Sequence, residues 1–177
     1  PLVLLAFVPH FTFGPYSDVV AQTFDRHREV YVMHNNGRSF YYGRHDAADA
    51  VNAMLPVVDR IARPGDKLFV GTGDLRKTPY SEAFLYYLLP DLVPSTYFIE
   101  MDPGMANKGD RLANDLAGSD VAILSSIRDD WDEPNDARVV GSDAANQVLH
   151  RDFCVAGSYG QGLFGHGLYE LYLRCTP

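Results

Sequence analysis

Lys67-Leu-Phe-Val-Gly-Thr-Gly-Asp74 decides how this chain is read. Four residues of continuous apolar strand run straight into a glycine turn that ends on an acid. A short apolar run of this kind, bounded by Pro64-Gly-Asp66 before it and Gly-Thr-Gly after it, fits a strand buried on both faces. Thr96-Tyr-Phe-Ile99 and Asp120-Val-Ala-Ile-Leu124 repeat the pattern. Between them lie helical spacings over Ser81–Leu89, stopped by Pro90, and over Lys108–Ala117, with Gly118 as its C-cap. Upstream, Asp46–Arg63 places Ala47, Ala50, Val51, Met54, Leu55, Val58 and Ile61 on one helical face, with Pro56 expected to kink or break it. Strands alternating with helices predict an α/β fold, a three-layer sandwich on a mostly parallel sheet.

Two hairpins flank that core. Glu29-Val-Tyr-Val-Met33 and Arg38-Ser-Phe-Tyr-Tyr42 are joined by Asn35-Asn-Gly37, a strong turn signal. At the other end, Phe153–Tyr159 and Gly167–Cys175 read as an antiparallel C-terminal hairpin at one sheet edge, joined by a glycine-rich loop. Asp129–Asp143 reads as a loop.

The chain has 177 residues and is 46% hydrophobic and 12% aromatic, enough for one sizeable core over residues 1–177. Disorder and a small disulfide scaffold are excluded as whole-chain descriptions. Of the net charge of −8, −7 falls between Glu100 and Asp143, where eleven acids face four bases. With no basic stripe to offset this, nucleic acid is excluded as a partner.

The only two cysteines, Cys154 and Cys175, sit near the outer ends of the paired C-terminal segments. Either they close the hairpin as a disulfide, as an exported domain favours, or they are two buried thiols. Pro1–Val8 is apolar but too short to span a bilayer, which takes about 20 residues. It reads equally as a leading strand or, over residues 1–15, as the end of a transmembrane helix whose start lies upstream of Pro1.

In open parallel sheets, ligands bind beyond the carboxyl ends of the strands. Three such ends carry candidate ligand-binding residues. After the first strand these are Gly71, Gly73, Asp74, Arg76 and Tyr80. Glu100, Asp102 and Asn107 follow the second, and Asp129 and Trp131 the third. Position 76 is Arg where G-x-G-x-x-G needs its third glycine, which disfavours a dinucleotide. A glycine turn followed by an acid, Asp102 or Glu100, also suits an S-adenosylmethionine-dependent methyltransferase in the cytosol, the alternative reading. Asp129, Asp130, Asp132, Glu133 and Asp136 lack calcium-loop spacing and read as a solvated acidic loop. The six histidines have no zinc spacing, and no serine sits in G-x-S-x-G, so neither a metal nor a hydrolase elbow is expected. Tyr41, Tyr42, Tyr80, Tyr86, Tyr87 and Tyr97 are abundant flat faces that serve packing more often than sugar stacking.

Asn36-Gly-Arg-Ser-Phe-Tyr-Tyr42, Pro64-Gly-Asp-Lys-Leu-Phe-Val-Gly71, Pro79-Tyr-Ser-Glu-Ala-Phe-Leu-Tyr-Tyr87 and Pro94-Ser-Thr-Tyr-Phe98 occur in that order. A strand reaching Ser125 and an aspartate-tryptophan loop follow. Over roughly residues 30–175 this resembles the C-terminal extracytoplasmic domain of actinobacterial multi-span membrane proteins of the GT-C glycosyltransferase type. The resemblance implies a place on the outer side of the cell membrane, with the protein's own upstream transmembrane region and a cell-envelope glycan or lipid acceptor as partners. It also implies a polyprenyl-phosphate sugar donor and a catalytic carboxylate upstream of this chain. No residue here matches that acidic motif, so no catalytic residue and no cofactor is assigned. The domain is expected to recognise or position the acceptor and to be inactive alone.

Overall fold

The computed structural model describes residues 30–77, 82–96, 110–127, 141–162 and 166–175. The chain divides into Pro1–Val30 and Tyr31–Pro177, and the architecture below belongs to the second unit. Strands β1 (Tyr31–Asn35) and β2 (Arg38–Tyr42) form a two-stranded antiparallel hairpin. Its turn residues Asn36 and Gly37 have φ of 48° and 72°, the left-handed pair that a two-residue turn of right-twisted strands requires. Helix α1 (His45–Ile61) follows, then β3 (Lys67–Thr72), α2 (Phe84–Leu88), β4 (Val93–Pro94), α3 (Arg111–Ala117) and β5 (Val121–Ser125). Helix α4 (Ala144–Asp152) leads directly into β6 (Phe153–Tyr159), and β7 (Tyr169–Arg174) ends the described chain.

The main sheet has five strands in the order β4-β3-β5-β7-β6. β3 is parallel to β4 and β5, whereas β5–β7 and β7–β6 are antiparallel. The protein is therefore α/β with a mixed sheet. The terminal hairpin lies at one edge, as expected, but it takes two of the five places, so the sheet is mixed and not mostly parallel.

Alternation along the strands sends side chains into two cores. Leu68, Val70, Val121, Ile123, Tyr169 and Leu171 join the buried face of α1, the β1–β2 hairpin and Leu85 and Leu88 of α2. Phe69, Ala122 and Leu124 join Leu112 and Leu116 of α3 and Ala145, Val148 and Leu149 of α4. The hairpin is tied to α1 by the Asn52 side chain, which donates to the Val32 carbonyl (2.9 Å) and accepts from the His34 N–H (3.1 Å).

Pro56 neither breaks nor ends α1, which continues through it to Ile61. Pro56 and the residue four positions before it, Asn52, are both exposed, so the turn that loses a helical donor lies on the solvent-facing side of α1. Helix α4 occupies residues the sequence analysis left unassigned. The strand expected at Thr96–Ile99 lies almost wholly outside the described residues, and β4 is found just before it. β4 pairs only with Lys67 and Leu68, and beyond it the Val70 N–H is satisfied by the Tyr86 hydroxyl of α2 (3.0 Å). Burial pushes the Tyr86 hydroxyl up to about 12, so it stays protonated. Tyr42 packs with Phe40 and Phe84, while Tyr41 and Tyr87 are largely exposed.

Cys154 and Cys175 are joined by a disulfide, with their Cα atoms 5.2 Å apart. It fastens edge strand β6 to the residue that follows β7. Among the described residues no helix is long and apolar enough to cross a membrane.

Candidate functional site

The carboxyl ends of β3 and β5 meet at one edge of the sheet, where the Gly73 N–H donates to the Ser125 carbonyl (2.8 Å). The start of β7 arrives at the same edge because β7 is antiparallel to β5, with Ser125 opposite Tyr169. Ser126 fixes this junction. Its N–H donates to the Leu168 carbonyl (2.9 Å) and its hydroxyl to the Gly167 carbonyl (2.8 Å). The chain then passes so close that a Cβ at Gly162 would lie 2.6 Å from the Gly167 oxygen and 2.7 Å from Ser126 Oγ. Only glycine fits there.

These ends and helix α4 enclose an open cleft of about 430 Å³. One wall is the turn after β3 together with the start of α4. Asp74 binds its own turn through the Arg76 backbone N–H (3.1 Å) and holds the Arg76 guanidinium through Nε (3.0 Å) and Nη2 (2.8 Å). It also accepts from Asn146 Nδ2 (2.9 Å), whose Oδ1 in turn accepts from the Leu75 N–H (3.0 Å). One amide thus latches the β3 turn to a helix 72 positions away. Asp143 accepts from Asn146 (3.1 Å) and Gln147 (3.3 Å) and stands 3.8 Å from Arg76 Nε. Partial burial of Asp74 disfavours its charge, but the bonds from Arg76 and Asn146 outweigh this and hold its pKa at about 2.

The other wall is β7. Residues i and i+2 of a strand share a face, so Glu170 and Tyr172 project together towards α4. Glu170 Oε1 lies 3.2 Å from Nδ1 of His166, and Oε2 accepts from the Tyr172 hydroxyl. Burial, the bond to Glu170 and the carboxylate's charge raise the Tyr172 pKa, keeping the hydroxyl a donor. His150 of α4 completes the lining, with Leu124 and Leu149 as its apolar floor.

Of the residues expected at the strand ends, Gly73, Asp74 and Arg76 line this cleft. Gly71 is a buried β3 residue outside the lining, and its lack of a side chain makes room for Phe69, Leu75 and Leu124. Tyr80, Glu100, Asp102, Asn107, Asp129 and Trp131 lie outside the described residues. The remaining wall came from positions the sequence analysis did not single out: Ser126, Asp143, Asn146, His150, His166, Glu170 and Tyr172. A signal for some was present. Asp143, Asn146 and His150 recur at helical spacing opposite Ala145, Val148 and Leu149, and Glu170 interrupts an apolar strand.

Chemically, the cleft presents a saturated carboxylate that holds a guanidinium, a second carboxylate at the start of α4, a third oriented from both sides, two imidazoles and a phenol. No cluster of three or more metal-ligating side chains occurs among the described residues. Comparison with family models, curated proteins and solved structures finds no match to this chain.

Proposed function

We propose that this chain is the extracytoplasmic, non-catalytic binding domain of a membrane glycosyltransferase-like protein of the cell envelope, and that the cleft between β7 and α4 receives the glycan part of an acceptor. The observation that carries this reading is the composition of the cleft. A sugar hydroxyl donates and accepts at once, so its site needs acceptors fixed in place beside donors, with an apolar ring face against which the sugar lies. Glu170, oriented by His166 and Tyr172, supplies the fixed acceptor, and Arg76, held by Asp74, supplies donors. The Tyr172 ring supplies the face.

The Cys154–Cys175 disulfide supports an exported domain, since such bonds persist in oxidising compartments. The same bond weighs against the alternative, a cytosolic S-adenosylmethionine-dependent methyltransferase. We read the two cores on opposite faces of the sheet as the outer layers of a three-layer sandwich with the cleft at its strand-end edge. In this reading the partners are the protein's own upstream transmembrane region and the acceptor, the donor and catalytic carboxylate belong upstream, and no cofactor takes part.

The test is co-sedimentation with delipidated cell-envelope polysaccharide, with lipid vesicles as the comparison. The wild type is expected to be retained by the polysaccharide, and Glu170→Gln to be released at least tenfold more readily with an unchanged melting temperature. Retention only by vesicles, or equal retention of wild type and variant, refutes the assignment of the cleft.

A further inference from the structure

The cleft is acidic on both walls. Its β3–α4 wall carries Asp74 and Asp143 against Arg76, and its β7 wall carries Glu170. Arg76 is the one permanent cation in the described lining, and its charge is matched by Asp74. Nε and Nη2 are directed at Asp74, and a second carboxylate, Asp143, stands 3.8 Å from Nε. His150 and His166 are the remaining titratable groups with cationic forms, and His166 Nδ1 is turned to Glu170. Apart from the two imidazoles, three carboxylates face one guanidinium. Among the described lining residues there is no second guanidinium or ammonium, so a phosphate or carboxylate would have to compete with Asp74 and Asp143 for Arg76, the kind of group by which proteins hold such anions.

We infer that the ligand of this cleft is an uncharged glycan, and that sugars bearing carboxylate or phosphate are rejected. The inference rests on the glycan-binding reading above and gives it a substrate class. Carboxylate-to-hydroxyl bonds suit a neutral sugar, whose hydroxyls donate to Glu170 at no electrostatic cost. An added anion instead enters a field of like charge within an open cleft, where its repulsion is reduced but not abolished by water and salt.

The experiment is an array of neutral, uronate-bearing and phosphate-bearing glycans probed with the intact chain at low and at physiological salt. Hits are followed by isothermal titration of matched neutral and uronate oligosaccharides against wild type and Asp143→Asn. Neutral glycans are expected to bind at least tenfold more tightly than their uronate counterparts. That ratio should narrow as salt rises and narrow again in Asp143→Asn, which removes one like charge. Equal or tighter binding of uronate or phosphate glycans overturns the inference while leaving the glycan reading in place. Binding of none of the three classes overturns both.

Discussion

Removal of the Cys154–Cys175 bond tests how much of the stability of this chain resides in a single covalent link. The two cysteines are 21 positions apart, and the loop they close contains all of the β6–β7 hairpin except Phe153. Opening a loop of this length gives the unfolded chain additional conformational entropy, equivalent to about 3 kcal/mol at 25 °C. For a chain of this size that corresponds to a melting temperature lower by roughly 6–12 °C. In urea the midpoint falls by about 1–2 M, while the denaturant slope rises slightly because the unfolded state is no longer tethered. The native hairpin itself should survive, since Cys154 lies opposite Leu173 in the β6–β7 ladder and the Cys175 N–H still donates to the Asp152 carbonyl. The assay is urea unfolding of Cys154→Ser/Cys175→Ser beside the oxidised wild type, followed by circular dichroism and tyrosine fluorescence. Alkylation without reductant verifies that the wild type carries no free thiol. A loss below about 1 kcal/mol with an unchanged slope refutes the reasoning, because the hairpin would then hold its ends together even in the unfolded state.

Three further perturbations follow from the hydrogen bonding and packing. Asp74 has a folded pKa of about 2, below its ordinary 3.8, so its stabilisation is complete above that ordinary value and is lost as pH falls through 2. The difference corresponds to about 2 kcal/mol, reduced to ~1 kcal/mol by solvent screening because the Arg76 side chain is 44% exposed. Urea unfolding between pH 2 and 7 should show this slope in the wild type and its loss in Asp74→Asn. Tyr86→Phe leaves the Val70 N–H without its acceptor beside a short edge strand, at a cost of about 1–3 kcal/mol by chemical denaturation and with faster amide exchange at Val70. Gly71→Ala places a Cβ 2.7 Å from Phe69 Cε1 and 2.9 Å from Leu75 Cδ2, so the variant should lose about 1–3 kcal/mol through overpacking.

What the sequence made legible follows from how each element is buried. β3 and β5 have both faces in a core, so they appear as uninterrupted apolar runs, and α1 announces itself by seven apolar residues at helical spacing. β2 is delimited by the Asn-Gly turn at one end and the Gly43 bend at the other. α4 escaped because only Ala145, Val148 and Leu149 of its nine residues are buried, and its polar positions resemble the acidic loop before it. The break that Pro56 could have made does not occur, because the proline sits on the exposed side of α1, where the lost hydrogen bond is not buried. The parallel core and the antiparallel C-terminal hairpin were each readable. The hairpin's place at one edge was readable as well; which of its strands meets β5 was not, because that pairing joins residues nearly fifty positions apart.

The site was half legible for a related reason. The rule that ligands gather beyond strand carboxyl ends finds Gly73, Asp74 and Arg76 without a structure. It cannot say what each does there, because role depends on how much hydrogen-bonding capacity a group has left. An ionised carboxylate offers about four lone-pair positions. Asp74 receives five donor contacts, from the Arg76 backbone, the Arg76 guanidinium and Asn146, so nothing remains for a ligand and its work is to fasten the β3 turn to α4. Glu170 has one neighbour on each oxygen and keeps about half its capacity open towards the cleft. The two acids thus divide the labour, one building the wall and the other facing the ligand. This division is why substitution of Asp74 should appear as a loss of stability, and substitution of Glu170 as a loss of binding.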